Sequence, residues 1–346
     1  QCKGCVTGAS RKRLGAKFRR GDLIPEGRFT MKEILLAMLL VAYLAQPSHA
    51  KDINFGWPSG EGWSSQPYKV ALEKGFFERE GLKVRMITFR GTNLMLAAMM
   101  SGDLDYMTIL PFTAGAAARG VPVKIVGSVT KSSTQAIVAR REFDNIRSLK
   151  GKKIGINSFG SSVDFTAYAA LSRSGLDPNK DVTIIMAGGG NLDRIVAVMS
   201  GAIDATVVSS PFEFHAEKQG LKTLVSAREL GEIVRIPVTG IAVTHKKLDK
   251  DGDEIVRLLR ALRSALLVLQ EQQSYGVGLF EKAMRLDRAS AERLYGLVRE
   301  QYNPELTLSD TVLNDLLAVG NFRSKEKTEV NLATVRDWSF AEKAKR

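Results

Sequence analysis

The chain has 346 residues, of which 44% are hydrophobic, 7% aromatic and 25% charged, with Lys+Arg 50 against Asp+Glu 37. That length exceeds what one hydrophobic core usually supports, so two lobes are expected, in a composition ordinary for a soluble globular protein. The excess positive charge forms no dense Lys/Arg run with interleaved aromatics, which argues against a nucleic-acid partner.

Both cysteines, Cys2 and Cys5, stand at the extreme N-terminus, and a lone C-x-x-C pair cannot complete a structural zinc site. Residues 31–50 read as a secretory signal peptide. Lys32 is the basic start, Ile34 to Ala45 the apolar run, and Ser48-x-Ala50 the small-residue cleavage site. The run is shorter than the roughly 20 residues that span a bilayer. Residues 1–30 then read as an upstream extension. The expected product begins at Lys51, is exported, carries no lipid anchor and holds no thiol.

From Lys51 strands and helices alternate. Strands are expected at Ile53 to Gly56, Val84 to Phe89, Tyr106 to Leu110 and Val123 to Val129. Helices are expected at Gln66 to Lys74, Asn93 to Ser101 and Phe112 to Arg119. Gln135 to Ala139 is a further apolar run. From Lys152 the order restarts, with strand KIGIN, helix Ser162 to Ser174, strand VTIIMA and helix Leu192 to Ser200. Strand ATVVS, helix Pro211 to Lys218 and strand KTLVS follow. This alternation argues for two lobes, each a mostly parallel sheet flanked by helices. After Ile241 to Thr244 the chain turns helical, at Asp253 to Gln270, Gly278 to Met284, Ser290 to Gln301 and Ser309 to Val319, with Ser290 as the expected cap.

The two series repeat one pattern. MSGDLDYMTILP, from Met100, and MSGAIDATVVSSP, from Met199, each pass a Gly and an Asp, run as a strand and meet a Pro (Pro111, Pro211). GTNL at Gly91 matches GGNL at Gly189. One repeat at domain scale means two similar lobes, because a solenoid needs at least three short repeats.

In open α/β sheets, ligands bind beyond the carboxyl ends of strands. The turns there are Ser59-Gly60-Glu61, Gly91-Thr92-Asn93, Pro111, Gly160-Ser161-Ser162, Gly188-Gly189-Gly190-Asn191 and Ser209-Ser210-Pro211. Unpaired N–H groups at helix starts, with Ser and Thr hydroxyls, suit a carboxylate, sulfonate or phosphate-like group. Singly, such residues are ordinary helix caps; their convergence from two lobes is what suggests a binding rim. The triple glycine suggests close approach by a ligand or by the facing lobe. Trp63 and Phe112 stand where they can stack on a planar solute, and Glu61 and Arg90 are the charged candidates.

The exported chain has two histidines, His215 and His245, far apart in sequence. It has no G-x-S-x-G, H-E-x-x-H or GxxxxGK[ST] motif. A nucleophile without an activating partner is weak, so ligand capture without catalysis, cofactor or metal is expected.

ALEKGFFEREGLKV (Ala71 to Val84), SGDLDY (Ser101 to Tyr106), GVPVKIVGS (Gly120 to Ser128), SLKGKKIGINSFGSS (Ser148 to Ser162) and SGAIDATVVSSPFEFHAEKQG (Ser200 to Gly220) carry a resemblance. The chain resembles periplasmic substrate-binding proteins of ABC transporters for nitrate, sulfonate, taurine and bicarbonate. That family shares its fold with the enzyme that makes the pyrimidine precursor of thiamine. The resemblance implies the two-lobed type II periplasmic-binding-protein fold, with crossings near Gln135 to Arg141 and Arg235 to Thr244. Lobe one is then 51–139 plus 237–346, with the extra C-terminal helices, and lobe two is 140–236. It further implies a periplasmic monomer that takes a small solute and has ABC permease subunits as its partner. The alternatives are a pyrimidine-synthase-like enzyme or a solute-sensing receptor subunit. The likeness to the synthase is the weaker one, since that enzyme resembles a Cys- and His-dependent catalyst.

Overall fold

The computed structural model describes residues 51–58, 62–89, 92–321 and 330–346, which fall in one compact unit, 49–346. The expected leader, extension and cleavage site lie outside the described residues.

The first half runs β1 (Lys51–Pro58), α1 (Gln66–Glu73), α2 (Phe76–Arg79), β2 (Leu82–Phe89), α3 (Thr92–Ser101), β3 (Tyr106–Ile109), α4 (Leu110–Ala118) and β4 (Val123–Ser128). The second runs β5 (Gln135–Ala139), β6 (Lys153–Ile156), α5 (Ser162–Arg173), β7 (Thr183–Met186), α6 (Asn191–Met199), β8 (Ala205–Ser209), α7 (Phe212–Lys218), β9 (Lys222–Val225) and α8 (Ala227–Ile233). Then come β10 (Thr239–Thr244), α9 (His245–Lys250), α10 (Gly252–Glu271), α11 (Gln273–Met284), α12 (Arg288–Val298), α13 (Asp310–Asn321), α14 (Leu332–Val335) and α15 (Ser339–Ala344).

Two five-stranded sheets form, ordered β2-β1-β3-β10-β4 and β7-β6-β8-β5-β9. Both follow one plan: second strand, first, third, an intruding strand, fourth. The intruders, β10 and β5, are the strands that run antiparallel to their neighbours. Each has crossed from the other half, so it enters from the end where its new neighbours finish.

One boundary differs from the sequence reading. Gln135 to Ala139, expected in lobe one, pairs antiparallel with Ala205–Ser209 and with β9, and so belongs to the second sheet. The crossing lies earlier, between two anchors. The N–H groups of Val129 and Thr130 donate to Thr239 O in the first sheet, whereas Ser210 N–H donates to Thr134 O in the second. All five residues of β5 are buried, so its apolar run says that it is covered on both faces and not which sheet covers it. The return crossing falls between α8 and β10.

The repeat read from the sequence is the joint between first and third strands in each sheet. Asp105 Oδ2 accepts Asn54 N–H at 2.8 Å, and Asp204 Oδ2 accepts Lys153 N–H at 2.8 Å. The N–H of each Asp returns a bond at 2.9 Å, to Asn54 O and Lys153 O. Thr108 Oγ1 donates to Gly56 O, and Thr206 Oγ1 to Gly155 O. A Cβ on Gly56 would lie 2.6 Å from Leu104, and one on Gly155 would lie 2.3 Å from Ile203. The strands therefore pack on glycine in both lobes.

The C-terminal helices complete lobe one. Leu258, Leu262 and Leu266 of α10 join Phe55, Tyr68 and Tyr106 in one core, and Leu294 and Val298 of α12 join them. The cap of α12 is Asp287, whose Oδ1 accepts Ser290 N–H at 2.9 Å, so Ser290 lies inside the helix it was expected to begin. The lobes touch beside it. Lys218 of α7 pairs with Asp287 at 2.6 Å, and Arg293 of α12 pairs with Glu217 at 3.3 Å and lies over the Phe214 ring.

Candidate functional site

Of the rim in lobe one, Ser59, Glu61 and Arg90 lie outside the described residues. Trp63 is 3% exposed, stands edge-on to Tyr302 at 5.6 Å and accepts Tyr302 O–H on its carbonyl. It is part of the core there, and a solute does not reach its face in this arrangement. Thr92 and Asn93 open α3, Thr92 half-buried and Asn93 exposed. Pro111 is buried in the first turn of α4, and the half-buried Phe112 next to it packs on an apolar cluster of lobe one. Phe165, from the first turns of α5 in lobe two, packs on that same cluster. The first turns of α4 and α5, from opposite lobes, therefore each send a Phe onto the same apolar cluster.

At the start of α5, Ser161 is the cap. Its Oγ accepts Asp164 N–H at 3.2 Å and donates to Asn157 Oδ1 at 2.6 Å. The buried Asp164 carboxylate takes Gly160 N–H at 2.9 Å, so part of the positive helix start is already answered by a carboxylate. Ser162, the first helical residue, stands half-buried beside this cap. Thr166 Oγ1 donates to Gln135 Oε1 at 2.6 Å, which ties α5 to the strand entering from the first crossing.

The triple-glycine turn has a local cause. Arg194, 2% exposed, sends Nη1 to the carbonyls of Gly188, Gly189 and Gly190, and Nη2 to Asn191 Oδ1 and Val207 O. Gly188 has φ of 111°, and a Cβ there would meet Asp193 at 2.6 Å. Backbone shape and a buried guanidinium therefore account for the first glycine without a ligand. Burial pulls the Arg194 guanidinium down to about 10. Asn191 Oδ1 also accepts Ser209 N–H at 3.0 Å, so residues 189–191 and 209 are brought together.

Ser210 is buried, and the bond to Pro211 is cis. Its N–H holds Thr134 O, and its Oγ donates to Glu213 Oε1 at 2.6 Å. Burial pushes the Glu213 carboxyl up to about 7, against the opposing pull of the Ser210 hydroxyl.

The structure thus joins 189–191, 209–210 and the first crossing by hydrogen bonds, and packs Phe112 of lobe one and Phe165 of lobe two on one apolar cluster. It places Trp63 elsewhere. Sequence reasoning missed Arg194, Glu213, Asp164 and the Gln135–Thr166 bond. The available signal for Arg194 was its place three residues after Asn191, on the same face of one helix turn. An open cavity of about 870 Å³ also lies beside the crossings, and none of the described rim positions lines it. Among the described residues no cluster of three or more His, Cys, Asp or Glu could hold a metal. No described helix is long and apolar enough to cross a membrane.

Residues 64–274 match the family model described as NMT1/THI5 like, which spans more than half of the chain. The chain belongs to the NMT1/THI5-like family. Among its relatives is a protein of Bacillus subtilis (strain 168), provisionally named an aliphatic sulfonates-binding protein. It is 27% identical over 338 residues, covering 91% of this chain and 97% of the relative. The 4-amino-5-hydroxymethyl-2-methylpyrimidine phosphate synthase of Aspergillus parasiticus is 28% identical over 185 residues, about half of each chain. Among solved structures, the alkanesulfonate-binding protein SsuA from Xanthomonas axonopodis pv. citri, bound to MOPS, superposes with a TM-score of 0.67. The identity is 19%, and the match covers 85% of this chain and all of the other. The fold is therefore that of periplasmic binding proteins, as the resemblance implied.

Proposed function

We propose that this member of the NMT1/THI5-like family captures a small oxyanion-bearing solute, of the sulfonate class, between its two lobes. It hands that solute to an ABC permease and works outside the cytoplasmic membrane as an exported protein. The observation that carries the reading is that Phe112 at the α4 start and Phe165 near the α5 start, from opposite lobes, pack on one apolar cluster. A hinge is implied by the two crossings, and a solute that touches both lobes favours the closed form by its extra affinity for it. The relative provisionally named for aliphatic sulfonates, matched along nearly its whole length, supports the solute class.

Within the rim, Ser162 and the helix-start N–H groups supply donors from lobe two, and Thr92 and Asn93 supply them from lobe one. Asn191, Ser209 and Ser210 act by holding the rim in shape. We read the protein as a carrier and not a catalyst, and the half-length match to the pyrimidine synthase makes turnover the rival to test.

Calorimetry with short alkanesulfonates, nitrate and small carboxylates tests the reading. Capture in the micromolar range, about −8 kcal/mol, with the solute recovered unchanged, is the expected result. Turnover of a pyridoxal- or pyrimidine-like compound, or no binding of any of these anions, would overturn it.

A further inference from the structure

The open cavity beside the crossings has walls from both lobes. One wall is the first crossing, where Ser132, Ser133 and Thr134 are all buried. Thr134 is 5% exposed, and its Oγ1 has no hydrogen-bond partner among the described residues. Ser132 Oγ reaches only Val234 O, at 3.4 Å. A second wall comes from α8 and the return crossing and brings Arg228 and Arg235.

The charges on these walls do not cancel. Glu305 is taken by Lys345 at 3.0 Å, and Glu300 stands 3.7 Å from Arg299. Arg228 and Arg235 form no ion pair among the described residues. Their own segment carries two carboxylates, Glu229, which accepts the Ser226 N–H and O–H, and Glu232, which lines the cavity, and Lys131 lines it as a third cation. Three cations against Glu232 leave the lining positive. A buried hydroxyl left without a partner is costly, so an occupant that offers one is favoured. A planar guanidinium beside hydroxyl donors matches the oxygens of a tetrahedral anion.

We propose that this cavity is a second binding site, for a small oxyanion of the phosphate or sulfate type, held by Thr134 and Arg235 and separate from the capture rim. Thr134 also carries the carbonyl that accepts Ser210 N–H, and Arg235 lies on the return crossing, so an occupant touches both segments on which the lobes turn. The proposal goes beyond solute capture, and it stands or falls on a different anion and a different pair of residues.

The test uses inorganic phosphate and a short alkanesulfonate as separate probes in calorimetry, on the wild-type protein and on Arg235→Gln and Thr134→Val. Arg235 is exposed and Thr134→Val is close to isosteric, so both variants are expected to fold, and circular dichroism verifies this. The expected result is that Arg235→Gln weakens phosphate binding by about tenfold or more, the loss of one hydrogen bond to a charged group. Thr134→Val weakens it less, and both variants hold the alkanesulfonate within about twofold of wild type. No phosphate binding by the wild type, or equal phosphate affinity in Arg235→Gln, would overturn the proposal. It would fail equally if Arg235→Gln lost the alkanesulfonate along with phosphate, because the cavity would then be the capture site itself. If the wild type binds phosphate but no alkanesulfonate, the capture reading fails and this one stands.

Discussion

Asp204 accepts the backbone N–H of Lys153 at 2.8 Å, and its own N–H returns to Lys153 O at 2.9 Å. The same exchange joins Asp105 to Asn54 in the other lobe. Each Asp is also met by a cation that follows the intruding strand of its sheet, Arg140 for Asp204 and Lys247 for Asp105. One carboxylate in each lobe therefore fastens first strand, third strand and returning strand.

The cations held by the two carboxylates differ in burial, Lys247 being far less exposed than Arg140, and removal of the carboxylates should differ in cost. Lys247 is 8% exposed and also holds Glu254 at 2.8 Å. Burial alone pulls its ammonium down, but the hydrogen bonds it donates to Glu254 and Asp105 outweigh this and hold it above its usual value. Asp105→Ala leaves that buried ammonium short of one anion and is expected to cost about 3 kcal/mol. Asp204→Ala, beside a more exposed arginine, is expected to cost about 1 kcal/mol. Urea denaturation of the two variants checks the order, and equal losses would contradict it.

Glu213 makes stability depend on pH with a definite sign. Its folded-state carboxyl sits near 7, above its usual value of 4.5. The folded protein therefore binds this proton more tightly than the unfolded chain, and stability falls as pH rises from about 4.5 to about 7. The full span is about 3 kcal/mol. Glu213→Gln keeps an acceptor for Ser210 without the charge. It should remove that slope and be more stable than wild type at pH 8 by about 1–3 kcal/mol. Denaturation midpoints at pH 5 and pH 8 provide the check.

Arg194 holds the turn before α6, and lysine cannot replace it because an ammonium lacks the planar fork that reaches five acceptors. Arg194→Lys is expected to destabilise the protein by about 2 kcal/mol. It should also weaken solute capture, because Asn191 loses the donor that fixes it against Ser209. Stability measured with calorimetry on the same variant reads both effects, and unchanged capture would remove the turn from the site.

Ser161 and Ser162 separate capping from binding. Ser161 Oγ is engaged on both sides, so Ser161→Ala is expected to cost about 1 kcal/mol of stability. Ser162→Ala should leave the melting temperature unchanged and weaken capture by about tenfold, as for a lost bond to a charged group.

These residues also mark what was legible in the sequence. The repeat around Asp105 and Asp204 was, because each carboxylate sits at a fixed place in a strand–helix unit and the copies align. The lobe of Gln135 to Ala139 was not. A run buried on both faces carries no period that names its neighbours, and its antiparallel pairing with β8 and β9 decides it. Ser161 was legible as either a cap or a ligand group, and the contacts of its hydroxyl favour the cap. Trp63 stood beside a rim turn in sequence but turns inward because Tyr302, some 240 residues later, offers it an edge. Arg194 and Glu213 are charged residues that the fold buries; the spacing of Arg194 from Asn191 was a local signal of their bond, but charge alone predicts exposure.

Shared capture requires that both lobes contact one solute. Titration of a short alkanesulfonate into Thr92→Val, in lobe one, and Ser162→Ala, in lobe two, probes each contact by itself. Each substitution alone should weaken capture by about tenfold without changing the one-to-one stoichiometry. Full affinity in either variant, with loss confined to the other lobe, would contradict it.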